Sequence, residues 1–235
     1  MKLFTVVMLS LALVVMVVSP VRADYTPFLQ DWGFNVDGTT YYKDGTPLPS
    51  YFDTSGFDFG SGLGTVKLTF NGSSGVHNIA ALFDHDSTIN FTNERGIATG
   101  TPASGQSWEI GAPYSYDANG NIIGPNAIYG HFATNSLTNA VSPFGPDDVA
   151  MAMNWNFNLG SSEYAVISFT VTNTNPPSGF QLTQTDLNTN ESIYFSGTSE
   201  ILGGGAPVPA PTTVVLLGPA VAALVFYMRR RESLQ

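Results

Sequence analysis

Between Asp84 and Glu94 the chain sets three carboxylates (Asp84, Asp86, Glu94) and the amides of Asn90 and Asn93 within eleven residues. Hard oxygen donors at this density suit calcium, which takes six to eight of them from carboxylates, amides and carbonyls. The same residue types also cap strand ends and turns without any ion. The segment is expected to be a loop after a strand, with Asp84, Asp86 and Glu94 as ligands of a calcium site. Asp147-Asp148 is a secondary ligand candidate, because adjacent like charges need solvent or a cation beside them. Asp117-Ala118-Asn119-Gly120-Asn121 opens like an EF-hand loop, with an oxygen at every second position. It then departs from the pattern: Ile128 stands where a bidentate Glu is required, and the glycine comes too early. Asn119-Gly120 is a strong two-residue hairpin signal, so a plain turn is expected there.

Other constellations carry less. His77, His85 and His131 are the only histidines. Three could hold a catalytic zinc, but no H-E-x-x-H spacing joins them, and His77 alternates with Ile79 and Ala81 as a strand-face residue. Glu94 and Glu109 are the pair a glycosidase would need, with Trp108 beside them to stack a sugar. A Trp within Ser107-Trp108-Glu109-Ile110 is more often core. Gly60-Ser61-Gly62-Leu63-Gly64 lacks the following helix of a phosphate-binding loop, and no G-x-S-x-G elbow occurs. With no cysteine, thiol nucleophiles, redox pairs and thiolate zinc sites are excluded. No catalytic residue and no cofactor besides calcium is assigned. The alternative is a carbohydrate-active or metal-dependent hydrolase using the acids around Asp84 to Glu109.

The elements that must position these residues are strands. Val149, Met151, Met153, Trp155, Phe157 and Leu159 share one parity, with Ala and Asn on the other. That is the period of a half-buried strand. After Gly160-Ser161-Ser162, the residues Ala165, Ile167, Phe169 and Val171 form the inward face of a second strand. Val149–Leu159 and Tyr164–Thr172 are expected to pair as a hairpin. Weaker runs cover Trp32–Val36, Thr65–Phe70, Val76–Phe83, Ser107–Ile110, Phe180–Gln184 and Ser192–Ser196. Gly96 to Pro146, rich in Gly, Pro, Asn and Ser, is expected to be long loops with a few ladder fragments. No segment of the domain shows helical periodicity. Many short strands separated by turns imply an all-β, antiparallel β-sandwich or jelly-roll-like domain.

The two ends read as addresses. Met1-Lys2 precedes the apolar run Leu3–Val18, short of the roughly 20 residues a bilayer requires. Pro20 breaks the run, and Val21-Arg22-Ala23 supplies small residues for cleavage after Ala23, leaving Asp24 as the new N-terminus. Residues 1–23 are thus expected to be a signal peptide with a helical apolar core. At the other end come a Gly/Pro linker over 203–207, Val208-Pro209-Ala210-Pro211, an apolar run from Val214 to Met228, and Arg229-Arg230-Arg231. From Thr212 the run is at the short limit of a membrane-spanning helix, and the arginines are expected on its cytoplasmic side. This order of parts resembles the PEP-CTERM sorting signal of Gram-negative bacteria. Val208, Pro209 and Pro211 match its V-P-E-P-like motif, Ala210 stands where its glutamate is usual, and Arg229, Arg230 and Arg231 match its basic cluster. The resemblance, over 208–231, implies processing by an exosortase, a membrane-embedded cysteine protease or transpeptidase. It also implies association with exopolysaccharide-producing cells; the Ala210 departure bears on processing, not on the anchor.

Within the domain, Phe83-Asp84-His85-Asp86, Phe91–Gly96, Gly105–Ile110, Asp147–Met153 and Ser192–Phe195 are similar to one group of PEP-CTERM proteins. That likeness implies location and fold, not a mechanism. Residues 24–202 form the expected ectodomain, large enough for one core. Glu232 and five of the eight bases lie in the terminal segments, leaving seventeen acids against Lys43, Lys67 and Arg95, a net charge of −14. Such a surface repels nucleic acid and other polyanions unless cations bridge them. The expectation is a non-enzymatic protein of the cell surface or extracellular matrix, calcium-assisted and associated with exopolysaccharide.

Overall fold

The computed structural model describes residues 28–203 apart from 87–91, 117–121, 143–145 and 177. The first strands are β1 (Phe28–Val36), β2 (Thr39–Tyr42), β3 (Phe52–Asp58), β4 (Leu63–Phe70) and β5 (Gly75–Asp86). Then follow β6 (Glu94–Thr99), β7 (Gln106–Gly111), β8 (Tyr114–Tyr116) and β9 (Ile122–Pro125). A short helix, α1 (Ala127–Ala133), and β10 (Ala140–Ser142) precede β11 (Ala150–Leu159), β12 (Tyr164–Thr172), β13 (Gln181–Asp186) and β14 (Ser192–Leu202).

Two six-stranded sheets hold the structure, ordered β10-β7-β11-β5-β1-β2 and β3-β4-β12-β14-β13-β6, with β8-β9 a separate pair. Their ladders are antiparallel except for the short β10–β7 pairing, so the all-β, antiparallel expectation holds. The β1–β2 turn is Asp37-Gly38, both at positive φ (52° and 84°), as a tight hairpin requires.

Alternation places Phe34, Ile79, Phe83, Met151, Met153 and Trp155 of the first sheet against Val66, Leu68, Ile167, Phe169 and Phe195 of the second. Phe83 and Phe195 meet edge-on across this core, with centroids 5.1 Å apart at 85°, the arrangement favoured by the ring quadrupole. The parity read along Val149–Leu159 is the observed one: its bulky residues pack in this core.

The expected hairpin is corrected. β11 pairs with β5 and β7 in the first sheet, whereas β12 pairs with β4 and β14 in the second. The link between them passes from one sheet to the other, so their apolar faces meet across the core instead of lying side by side.

The middle of the chain is more ordered than expected. Besides β7, which contains the expected Ser107–Ile110 strand, it holds β6, β8, β9, β10 and α1, and α1 covers the outer face of the first sheet. Ile128, Phe132 and Leu137 bury Ala80, Leu82, Ala150 and Ala152 in a second apolar cluster. The buried Asn35 side chain donates to Phe132 O (2.8 Å) and Ala133 O (2.9 Å), satisfying carbonyls at the helix end. Gly33 leaves room for the ring: a Cβ there would stand 3.0 Å from Phe132.

The expected signal peptide with Ala23 and the sorting tail with Val208, Pro209, Pro211, Arg229, Arg230 and Arg231 lie outside the described residues. So do Asn90 and the Asp117–Asn121 turn. Among the described residues no helix is long and apolar enough to cross a membrane.

Candidate metal centre

The strand β5 does not stop at Phe83 but runs through Asp86, so Asp84 and Asp86 belong to a strand, not to the loop expected after it. Alternation then separates the neighbours. His85 continues the inward parity of Phe83, while Asp84 and Asp86 continue the outward parity of Ala80 and Leu82. Because α1 and its flanks cover that outward face, an acid there is buried. Asp84 is 0% exposed.

Register brings other acids to it. Asp84 sits opposite Asp31 of β1 and opposite Ala150 of β11. Asp148 lies two residues before Ala150, on the same parity. One oxygen each of Asp84, Asp86 and Asp148 come within 4.8 Å of one another. Glu94 stands outside this trio, and its Oε2 accepts from Gln184 Nε2 at 2.7 Å and from Val149 N at 3.3 Å. Asp148, a secondary candidate from sequence, is thus the third carboxylate of the cluster.

Neither oxygen of Asp84 has a hydrogen-bond partner. Burial drives its pKa well above the ordinary carboxylate value, and the negative charges of Asp148, Asp86, Glu94 and Asp31 push it further. Asp86 is also raised by burial, with Lys43 opposing. A buried carboxylate without hydrogen bonds is a costly arrangement, and a bound cation removes the cost.

The donor set bears on which ion would fit. All three donors are carboxylate oxygens, and among the described residues no histidine joins them. The buried His85 ring turns the other way, with Nε2 donating to Gly62 O at 3.3 Å. Gly62 is held at φ 70°, and a Cβ there would fall 2.1 Å from that nitrogen. Burial lowers the His85 pKa to about 4, which keeps the ring neutral. Magnesium retains several waters and takes one or two carboxylates, whereas calcium accepts more in looser geometry. Three converging carboxylates with a fully buried member suit calcium better.

Two tyrosines roof the cluster. The phenols of Tyr129 on α1 and Tyr114 on β8 donate to Asp31 Oδ2 at 2.7 and 3.3 Å. Burial above all holds the Tyr129 phenol far above its ordinary pKa, followed by its bonds to Tyr114 and Asp31. It therefore remains a donor. Asp31 Oδ1 accepts from Trp32 N at 2.8 Å. Sequence reading missed Asp31, Tyr114 and Tyr129; the available signal was that Asp31 shares a parity with Gly33 and Asn35, opposite the apolar Trp32, Phe34 and Val36.

The remaining candidates are dispersed. The buried His77 binds Asp37 Oδ2 through Nδ1 (2.8 Å) and Ser73 O through Nε2 (2.7 Å). His131 Nδ1 lies 2.9 Å from both carboxylate oxygens of Glu109, and Glu109 Oε2 also accepts from Thr138 N at 3.0 Å. The three histidines thus have three different partners. Trp108 packs beside Phe180, centroids 5.7 Å apart, against the edge of the core. No family model matches the chain, and no curated protein or solved structure is found to be similar to it.

Proposed function

We propose that the protein is an exported, non-enzymatic component of the cell surface or extracellular matrix, a jelly-roll-like β-sandwich consolidated by a calcium ion. The ion is held by Asp84, Asp86 and Asp148. One observation carries the calcium reading: Asp84, at zero exposure, has no hydrogen bond on either oxygen and faces two further carboxylates. An unpaired buried carboxylate is rare unless a cation or a proton accompanies it. A site this enclosed serves the fold, stabilising the folded chain by mass action.

Export and location rest on the termini. The signal peptide over 1–23, cleaved after Ala23, and the tail over 208–231 with its apolar run and Arg229–Arg231 support display on the outside of a membrane. The likeness of that tail to exosortase substrates supports exopolysaccharide as the surrounding material, with divalent cations bridging it to a domain of net charge −14. The non-enzymatic reading is supported by Glu94 and Glu109: each carboxylate is tied to donors within the fold.

The test is calcium titration calorimetry on the full-length chain purified in detergent. One ion per chain is expected, with affinity on the order of 0.1–1 mM, as in other extracellular sites. Absence of saturable uptake in this range would remove the calcium reading.

A further inference from the structure

We infer that Glu94 acts on this centre from behind, as a positioning residue that joins Gln184 in setting the spacing of the two ligand-bearing segments. The inference rests on the calcium reading above. The β5–β11 ladder begins at the Asp84–Ala150 pair, so Asp148 lies ahead of it and needs another support. Glu94 provides one. Its backbone exchanges two hydrogen bonds with Asp147, N to O at 2.9 Å and O from N at 3.0 Å. Its Oε2 accepts from Val149 N at 3.3 Å. The residues on both sides of Asp148 are therefore held by Glu94.

The second ligand segment is gripped by the same unit. Gln184 Nε2 donates to His85 O, the carbonyl between Asp84 and Asp86, and also to Glu94 Oε2. Glu94 is 0% and Gln184 2% exposed. They lie on β6 and β13, neighbouring strands of the second sheet, whereas β5 and β11 belong to the first. A buried two-residue bracket from one sheet thus fixes the backbone beside each ligand of the other. Charge-assisted bonds in a buried setting are strong and directional, so the bracket sets how closely Asp148 approaches Asp84 and Asp86. Ion affinity then depends on how the two sheets face each other.

Val149 N and Gln184 Nε2 both donate to Oε2 of Glu94, so a change that keeps an acceptor oxygen and removes the charge separates positioning from ligation. Glu94→Gln keeps one acceptor oxygen for both donors but removes the charge a ligand would supply. Calcium titration of the full-length chain should give a much smaller loss of affinity for Glu94→Gln than for Asp86→Asn, since the Glu94 charge acts on Asp84 only through space. Glu94→Ala should bind about 10–100-fold more weakly, the usual effect of losing a group that orients a ligand, with one ion per chain retained. Asp86→Asn serves as the ligand control. Glu94→Gln weakening calcium as much as Asp86→Asn would make Glu94 a ligand, and unchanged affinity in Glu94→Ala would deny it any role; either overturns the inference. Where Glu94→Ala fails to fold, Gln184→Met decides, with weaker binding expected and unchanged affinity refuting. The calcium-induced change in melting temperature is recorded for each variant, so general destabilisation cancels. A wild type that takes up no calcium overturns the calcium reading too; a wild type that binds beside a ligand-like Glu94→Gln overturns the bracket alone.

Discussion

Asp84→Asn should reverse its stability order with wild type according to whether calcium is present. Without the ion, the wild-type protein buries a carboxylate that lacks hydrogen bonds and is opposed by four neighbouring acids. Asn has the same shape and no charge, so in chelator the variant should melt at or above the wild type. With calcium, the wild type gains what the variant cannot. At about 10 mM calcium and an affinity on the order of 0.1–1 mM, mass action supplies about 1.4–2.7 kcal/mol. For a domain of this size each kcal/mol moves the midpoint by about 2–4 °C, so the wild type should rise by about 3–11 °C. Asp84→Asn, and more so the double change with Asp86→Asn, should move little. Thermal melts by circular dichroism on the full-length chain, with sodium chloride at equal ionic strength as control, read both effects. The reasoning is refuted if wild type melts at one temperature in calcium and in chelator, or if the order of the two proteins is the same in both.

Trp155, 5% exposed in the core, should cost about 3–5 kcal/mol when changed to Ala. A urea midpoint corresponding to a loss below about 1 kcal/mol would place it at the surface. Trp155→Phe should cost less, since it also removes an indole N–H that has no partner. Burial lowers the His77 pKa, but its bonds to Asp37 and Ser73 prevail and the net direction is upward. A group raised in the folded state stabilises fully below its ordinary value near 6.5 and loses that contribution as pH rises through the folded value. Asp37→Asn, which tolerates the positive φ at that position, should flatten the fall in melting temperature between about pH 6 and 8; an unchanged slope would mean His77 is not its source. Deleting 208–235 should release the domain from membranes, and continued sedimentation with them in cell fractions would reveal another anchor.

A period of two identifies the face of a strand and leaves its neighbour open, which is why β11 and β12 were legible one at a time but not as a pair. Each has one bulky face, and that constraint is met equally by lying side by side or by meeting across a core. The choice is made by competition among all strands: β5 and β7 take the edges of β11. The small residues on the second face of β11, Ala150 and Ala152, were the trace of a further layer, since a solvated face would carry charge. That layer is α1, whose seven residues span too few turns for a helical period to register. Its Ile128 and Phe132 anchors are visible only after the helix is known. The same gap explains the carboxylate cluster. Asp84 and Asp86 look like a loop because acids in strands are uncommon, and acids on a covered face are rarer still. Once α1 is in place, the alternation from Ala80 through Leu82 carries Asp84 beneath the cover, and antiparallel pairing to β11 brings Asp148 beside it. Sequence distance pointed to Glu94, ten residues away. Sheet order instead supplies Asp148, sixty-four residues away, and leaves Glu94 on the opposite sheet with its carboxylate turned to Gln184 and Val149.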